Sequence, residues 1–329
     1  MRTMMLGTSG LEASVIAIGT YGIGGGNTWS DTKVSVESIV SLLDAATDLG
    51  VNLIDTAPVY GIGNSEELMG KALKGRRDRF LLQTKCGLNW RDAEGHIEYV
   101  RDGKHVYRNL SAGAIRQDLE DSLKRMGLDH VDIYMTHRQS DAVPVEETMG
   151  ELQRLIQEGK IRAAGISRAS PEILREYLKV GPVALVQEKF SILDRQNGED
   201  YIPTCEKTST AFQVYFSLET GALAGPQNIG KEFPEGDLRR GSRWFAKEMQ
   251  PHMRALYDGW QTLTEKYHCS YANLVQAWTL QQSASLNLLT GIRRVESLID
   301  TAKVVDIRLS EEDVRKMRDD CDNLLALPR

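Results

Sequence analysis

Short apolar runs recur along this chain, each closed by glycine, proline or a polar residue and most followed by a stretch with helical spacing. Residues 3–6 and 11–15, joined through Gly7-Thr8-Ser9-Gly10, carry the pattern of a small hairpin. Runs at 15–18, 51–54, 80–84, 131–135, 161–166, 183–186, 211–215 and 286–289 read as buried strands. The intervening periodicity predicts helices over 35–49, 66–73, 111–126, 145–158, 170–178, 252–268, 271–282, 295–304 and 311–324. Ser111, Ser170 with Pro171 after it, and Ser310 stand as N-caps, and Gly159 as a C-cap. Asn64 or Ser65 is placed to cap the helix that opens on Glu66 and Glu67. Eight strands alternating with helices, without a break in composition, predict an α/β chain with one domain over 1–329. Its expected architecture is a (β/α)8 TIM barrel with an N-terminal β-hairpin and an extra C-terminal helix. The polar connectors 89–109 and 227–247 are long for such a fold and are expected to lie over a site.

Composition narrows the function classes. A net charge of −6 and a pI near 5.7 point to neither nucleic acid nor an anionic membrane as partner. No apolar run approaches the ~20 residues that span a bilayer, and the first residues lack a signal-peptide core. Cysteines 86, 205, 269 and 321 have no metal-type spacing, so no metal is expected, and their scatter suits a cytoplasmic protein. Cys86 reads as a buried, inert thiol. These patterns leave the oligomeric state open.

The chemistry gathers at strand ends, which converge on one face of a barrel. The run 51–54 stops at Asp55, and four residues lead on to Tyr60, with Gly61 and Gly63 punctuating the turn. The third run ends at Lys85, and the fourth leads into His137. A tyrosine of ordinary pKa near ~10 is a poor acid at neutral pH. A neighbouring ammonium held by a carboxylate is expected to make it more acidic, and an imidazole can orient a substrate oxygen. This set can polarise a carbonyl and protonate the alkoxide that forms from it. Other readings stand beside it. Lys85 and Asp55 can be a structural ion pair, His137 a satisfied core histidine and Tyr60 loop packing. A lysine at a barrel strand end can also form a Schiff base, as in a lyase. The loop Gly22-Ile23-Gly24-Gly25-Gly26 invites a dinucleotide-binding reading, but its glycines do not keep the Gly-x-Gly-x-x-Gly order.

Three blocks resemble the signatures of aldo-keto reductases: Asp55-Thr56-Ala57-Pro58-Val59-Tyr60-Gly61, Gln83-Thr84-Lys85-Cys86-Gly87 and Asp132-Ile133-Tyr134-Met135-Thr136-His137. The similarity spans essentially the whole chain and is closest to bacterial members acting on small aldehydes, ketones and sugars. It implies NADPH, with NADH possible, bound without a Rossmann domain, and hydride transfer to a small-molecule carbonyl with Tyr60 as general acid. Lys85 and Asp55 would tune Tyr60, and His137 would orient the carbonyl. The cofactor would lie along Gly19, Thr20, Ser167, Arg168, Gln187, Tyr215, Ser217, Leu218, Gly221, Gly291, Arg293 and Ser297. Within that set, Ser167 and Gln187 match carboxamide-holding positions, and Tyr215 matches the aromatic that stacks on the nicotinamide. Ser217, Leu218 and Gly221 match the loop over the pyrophosphate.

The chain departs from the family pattern at four positions. Arg138 replaces a frequent Trp, Arg168 a frequent Asn, and Ser297 and Thr301 stand where adenine-binding Gln and Asn are expected. Arg293 and Arg294 favour a 2′-phosphate and hence NADPH. Arg138, assisted by Arg168, would receive an anionic or polyhydroxylated substrate, or else pair with an acid of a covering loop such as Asp141, Glu94 or Asp237. Trp29 and the two long loops would shape substrate choice. The resemblance also admits a redox-sensing subunit that keeps the cofactor pocket and acts through a protein partner.

Overall fold

In the computed structural model, which describes residues 1–25, 34–101 and 103–327, the chain opens on an antiparallel hairpin. Strands β1 (Thr3–Met5) and β2 (Glu12–Ser14) pair there, and the left-handed Gly7 and Gly10 turn the chain between them. A Cβ at Gly7 would stand 2.9 Å from the backbone of Ala184, so the hairpin lies directly on the barrel. The barrel then begins with β3 (Ile16–Gly19), α1 (Val36–Leu49), β4 (Leu53–Asp55), α2 (Asn64–Leu73) and β5 (Leu81–Cys86). Three short strands interrupt the alternation: β6 (Leu88–Asn89), β7 (His96–Arg101) and β8 (Lys104–Arg108). It resumes with α3 (Ala112–Met126), β9 (Val131–Thr136), α4 (Val145–Gln157), β10 (Ile161–Ser167), α5 (Pro171–Val180), β11 (Leu185–Lys189), α6 (Gln196–Thr208) and β12 (Ala211–Tyr215). After a long loop come α7 (Gln250–Lys266), α8 (Tyr271–Leu280), β13 (Leu286–Gly291), α9 (Val295–Ala302) and the additional C-terminal helix α10 (Glu311–Leu325).

Strands β3, β4, β5, β9, β10, β11, β12 and β13 pair in parallel and close on themselves, giving the expected (β/α)8 barrel. One apolar layer fills the barrel at the strand starts, where Ala17, Leu53, Ile133, Ala163, Leu185 and Ala211 meet Leu6, Leu11 and Ala13 of the hairpin. A larger layer lies between the strands and the helices. Among the described residues no helix is long and apolar enough to cross a membrane.

One local expectation is corrected, and two stretches take up structure that the pattern did not predict. Helix α2 begins at Asn64 behind a left-handed Gly63 and has no side-chain cap. Its two candidate caps face elsewhere, because Asn64 donates to Gly24 O at 2.6 Å and Ser65 donates to Thr20 Oγ1 at 2.8 Å. The 89–109 connector folds as a small antiparallel sheet, β6–β8–β7. Helix α6 carried no sequence signal, since it contains Gly198 and Pro203 and buries only Gly198, Tyr201 and Cys205.

Candidate active site

Register brings the candidate residues together. Asp55 ends β4 beside Gln83 of β5, and Lys85 lies beside Met135 of β9, two residues before His137. Tyr60 comes from the turn between β4 and α2, where its carbonyl accepts from Ser65 N. Lys85 is fully buried, and its Nζ donates to Asp55 Oδ1 at 2.6 Å, to Thr56 O at 3.0 Å and to Tyr60 Oη at 2.9 Å. An ammonium has three hydrogens, so all of them are engaged. Because Lys85 donates to the Tyr60 oxygen, the phenolic hydrogen must point away from Lys85.

The expectation that Lys85 makes Tyr60 acidic is not met. Burial, and then the charge of Asp55, raise the Tyr60 pKa well above its ordinary value, so the phenol keeps its proton. Burial also lowers the Lys85 pKa, against the opposing pull of Asp55. His137 is buried, and burial followed by Lys85, Arg168 and Arg138 pushes its pKa well down, so the imidazole is neutral. Its ring stands edge-on to Tyr60 at 5.9 Å, and its Nδ1 has no hydrogen-bond partner among the described residues. Tyr21 meets the Tyr60 ring edge-on at 5.0 Å. A neutral imidazole and a protonated phenol set side by side can both donate to one oxygen.

Thr20 is buried, and its hydroxyl donates to Asp55 O at 2.8 Å, which locks β3 to β4. Gly19 lies against Thr290, whose oxygen would be 3.3 Å from a Cβ there. Ser167 donates its hydroxyl to Gln187 O at 2.9 Å, and Gln187 directs its amide nitrogen to Asp55 and Gln213. Tyr215 closes β12 and meets Phe216 edge-on at 5.0 Å, and Phe216 has a left-handed backbone. The segment holding Ser217, Leu218 and Gly221 is unusually bent, with positive φ at Phe216, Glu219, Thr220 and Gly221. Gly291 ends β13 with open space where a Cβ would be, and Ser297 is half-buried on α9. Arg293 runs against Gly22, where a Cβ would meet its side chain at 3.1 Å. Burial, then the charges of Arg294 and Arg239, lower its pKa.

At the mouth, Arg138 Nε lies 2.7 Å from Glu98 Oε1, and Arg108 shares the other oxygen of that carboxylate at 3.4 Å. The partner is thus an acid of the covering sheet, but not Asp141, Glu94 or Asp237, and Asp237 pairs instead with Arg239 at 2.6 Å. Arg168 follows β10 in a left-handed conformation (φ 51°), unusual for a residue with a side chain, and lies close enough to lower the pKa of both His137 and Arg138. Trp29 lies outside the described residues. Sequence reasoning did not single out Gln83, Gln213, Asn287 or Glu98. The first three alternate with outward-facing residues on barrel strands, which is the one signal that marks them.

The comparisons agree with this geometry. The model of the Aldo/keto reductase family matches residues 15–320. Over 326 residues the chain is 36% identical to the NADH-specific methylglyoxal reductase of Escherichia coli (strain K12), covering 97% of this chain and 98% of that protein. It is 32% identical to the aldo-keto reductase YhdN of Bacillus subtilis (strain 168), covering 100% and 96%. Among solved structures, the glycerol dehydrogenase AKR11B4 from Gluconobacter oxydans superposes with a TM-score of 0.86 at 32% identity, over 99% of this chain and 97% of that one. With its closed barrel and its Asp55, Tyr60, Lys85 and His137 at adjoining strand ends, this chain belongs to the aldo/keto reductase family of oxidoreductases.

Proposed function

We propose that the protein reduces a small aldehyde or ketone to the alcohol with a nicotinamide cofactor and with Tyr60 as proton donor. The observation that carries this reading is Lys85, whose three hydrogens face Asp55, the Thr56 carbonyl and the Tyr60 oxygen. The bound cofactor would supply a hydride to the carbonyl carbon. The carbonyl oxygen sits between the Tyr60 hydroxyl and neutral His137, which orients it. As negative charge grows on that oxygen, Tyr60 gives up its proton, and the Lys85 ammonium stabilises the phenolate left behind. The same Lys85 geometry argues against a Schiff-base lyase, because an ammonium ion-paired to Asp55 has no lone pair to attack a carbonyl.

Ser167 and Gln187 would hold the carboxamide, Tyr215 would stack on the ring, and the bent segment at Ser217, Leu218 and Gly221 would cover the pyrophosphate. Arg293 and Arg294 at the start of α9 support a 2′-phosphate and hence NADPH, whereas the Escherichia coli relative is named as NADH-specific. Arg293→Ala is expected to weaken NADPH binding by about tenfold or more, as loss of a charge-assisted contact does, and to leave NADH binding within about twofold. Equal effects on the two dissociation constants would remove Arg293 from the phosphate site.

Arg168 at the mouth favours an oxygen-rich substrate over a plain alkyl aldehyde, whereas Arg138 is already engaged by Glu98 of the covering sheet. The relatives are named for methylglyoxal, a neutral dicarbonyl, and for glycerol, a polyol, so neither name points to an anionic substrate. The four free cysteines suit a reducing compartment such as the cytoplasm. Initial rates of NADPH and NADH oxidation with methylglyoxal, glyceraldehyde and unsubstituted aldehydes test the reading. Steady cofactor consumption with the oxygen-rich compounds is expected. No consumption with any carbonyl, together with borohydride trapping of substrate on Lys85, would replace it with the lyase.

A further inference from the structure

Beneath Lys85 and Tyr60 the barrel is filled by side-chain amides instead of aliphatic groups. Gln83 of β5, Gln187 of β11 and Gln213 of β12 are all buried. Gln83 Nε2 lies 2.6 Å from Asp55 Oδ1 and 2.6 Å from Gln213 Oε1. Gln187 Nε2 lies 3.0 Å and 2.6 Å from the same two atoms. Two amino groups therefore bridge two oxygens and close a ring. From there Gln213 Nε2 reaches Asn287 Oδ1 at 2.8 Å, and Asn287 Nδ2 reaches Ser14 O at 2.8 Å, at the base of the N-terminal hairpin.

The polarity of this ladder follows from one charge. A carboxylate only accepts, so both amides facing Asp55 must present nitrogen. Each amino group has one more hydrogen to place, so the group between them must offer oxygen, and Gln213 turns its carbonyl there. Its nitrogen then faces Asn287, which must present oxygen in turn. Every member has one permitted orientation, as a buried polar network requires if it is to be fully satisfied.

We propose that Gln213 is a positioning residue, the shared acceptor that holds Gln83 and Gln187 on Asp55 and so controls how much of the Asp55 charge reaches Tyr60. The proposal rests on the reading of Tyr60 as the proton-transfer group. Asp55 Oδ1 receives three donors, Lys85 and the two amides, which together compensate its charge. Tyr60 is faced by Asp55, Lys85, His137, Arg168, Tyr21 and Tyr215, and of these Asp55 contributes most to holding the proton on it. Without the shared acceptor, Gln83 and Gln187 are free to turn away, more of the carboxylate charge is felt, and Tyr60 binds its proton more tightly.

The test is the pH dependence of alcohol oxidation, the direction that needs Tyr60 as phenolate. In Gln213→Leu the pH of half-maximal rate is expected to move up by about half a unit or more, through loss of donors that compensate the Asp55 charge, with the crystal structure showing Gln83 or Gln187 turned from Asp55. Gln213→Glu, neutral in so buried a place beside Asp55, keeps the acceptor oxygen and a hydroxyl towards Asn287, and is expected to restore the wild-type profile. An unmoved profile in a folded Gln213→Leu protein, with only a lower melting temperature, overturns the proposal. If Gln213→Leu does not fold, Asn287→Ala, which releases Gln213 from its far end, is expected to shift the profile the same way by less, and no shift overturns it. Full turnover in Tyr60→Phe would sink the underlying reading as well. An inactive Tyr60→Phe beside an unmoved Gln213→Leu profile sinks the positioning role alone.

Discussion

A fully buried ammonium is unfavourable by itself, and Lys85 is kept charged by a carboxylate 2.6 Å away and two further acceptors. Under the proposed function, one residue thus has two separable effects, on stability and on turnover. In Lys85→Met the Asp55 charge is left buried without its cation, and a loss of about 3–5 kcal/mol in chemical denaturation is expected. Turnover should fall by about a hundredfold or more, the usual scale for removing a preorganised charge from a reacting oxygen. Adding Asp55→Asn to Lys85→Met removes the stranded charge and is expected to recover much of the stability but none of the turnover. If stability and rate recovered together, the pair would be a structural ion bridge. All four residues of this group were legible in the sequence, because strand ends are where barrels place chemistry. The direction of the Tyr60 pKa was not, because desolvation depends on packing that no motif encodes.

Element by element, regular pieces with a cap and a clear apolar face were readable: α3, α5 and α10 each begin at the serine expected. The failures have local physical causes. Helix α6 is held by its neighbours against poor propensity, and β7 and β8 alternate too weakly to stand out, since most of their residues are exposed or half-exposed. The loop after β5 is tied to α3 through Asp118, which accepts from Gly87 N at 2.8 Å and from Arg91 Nη1 at 3.0 Å. Burial lifts the Asp118 pKa from 3.8 to about 6 despite these donors. The folded protein therefore holds this proton more tightly than the unfolded chain between those values. Stability contributed by the protonated carboxyl is present at the acid end and is lost as pH rises through the window, by at most about 1.4 kcal/mol per unit. Chemical denaturation of wild type and Asp118→Asn across that window is expected to show this slope in wild type and its absence in the variant. The same slope in both would assign it to other groups.

Across the whole molecule, the two ends of the barrel do different things. Leu6 and Leu11 fill the end at the strand starts, and the candidate catalytic residues sit at the other. Leu6→Ala is expected to lower stability by about 2–5 kcal/mol, the range for truncating a buried leucine, while leaving kcat and KM of the folded protein unchanged. A kinetic change would mean that the amide ladder, which ends at Ser14, transmits strain from the hairpin to the site. The barrel itself was legible from alternation alone. The ladder was not, because polar residues inside a barrel have the same period as apolar ones, and only closure of the sheet brings strands β4, β5, β11, β12 and β13 around one axis. The account as a whole depends on one proton. It is tested most directly by single-turnover reduction of an aldehyde by Tyr60→Phe with saturating NADPH or NADH, after fluorescence has confirmed that cofactor still binds. A fall in the rate of about a hundredfold to ten-thousandfold, with cofactor affinity retained, is expected for loss of the general acid. A rate within a few-fold of wild type would contradict it.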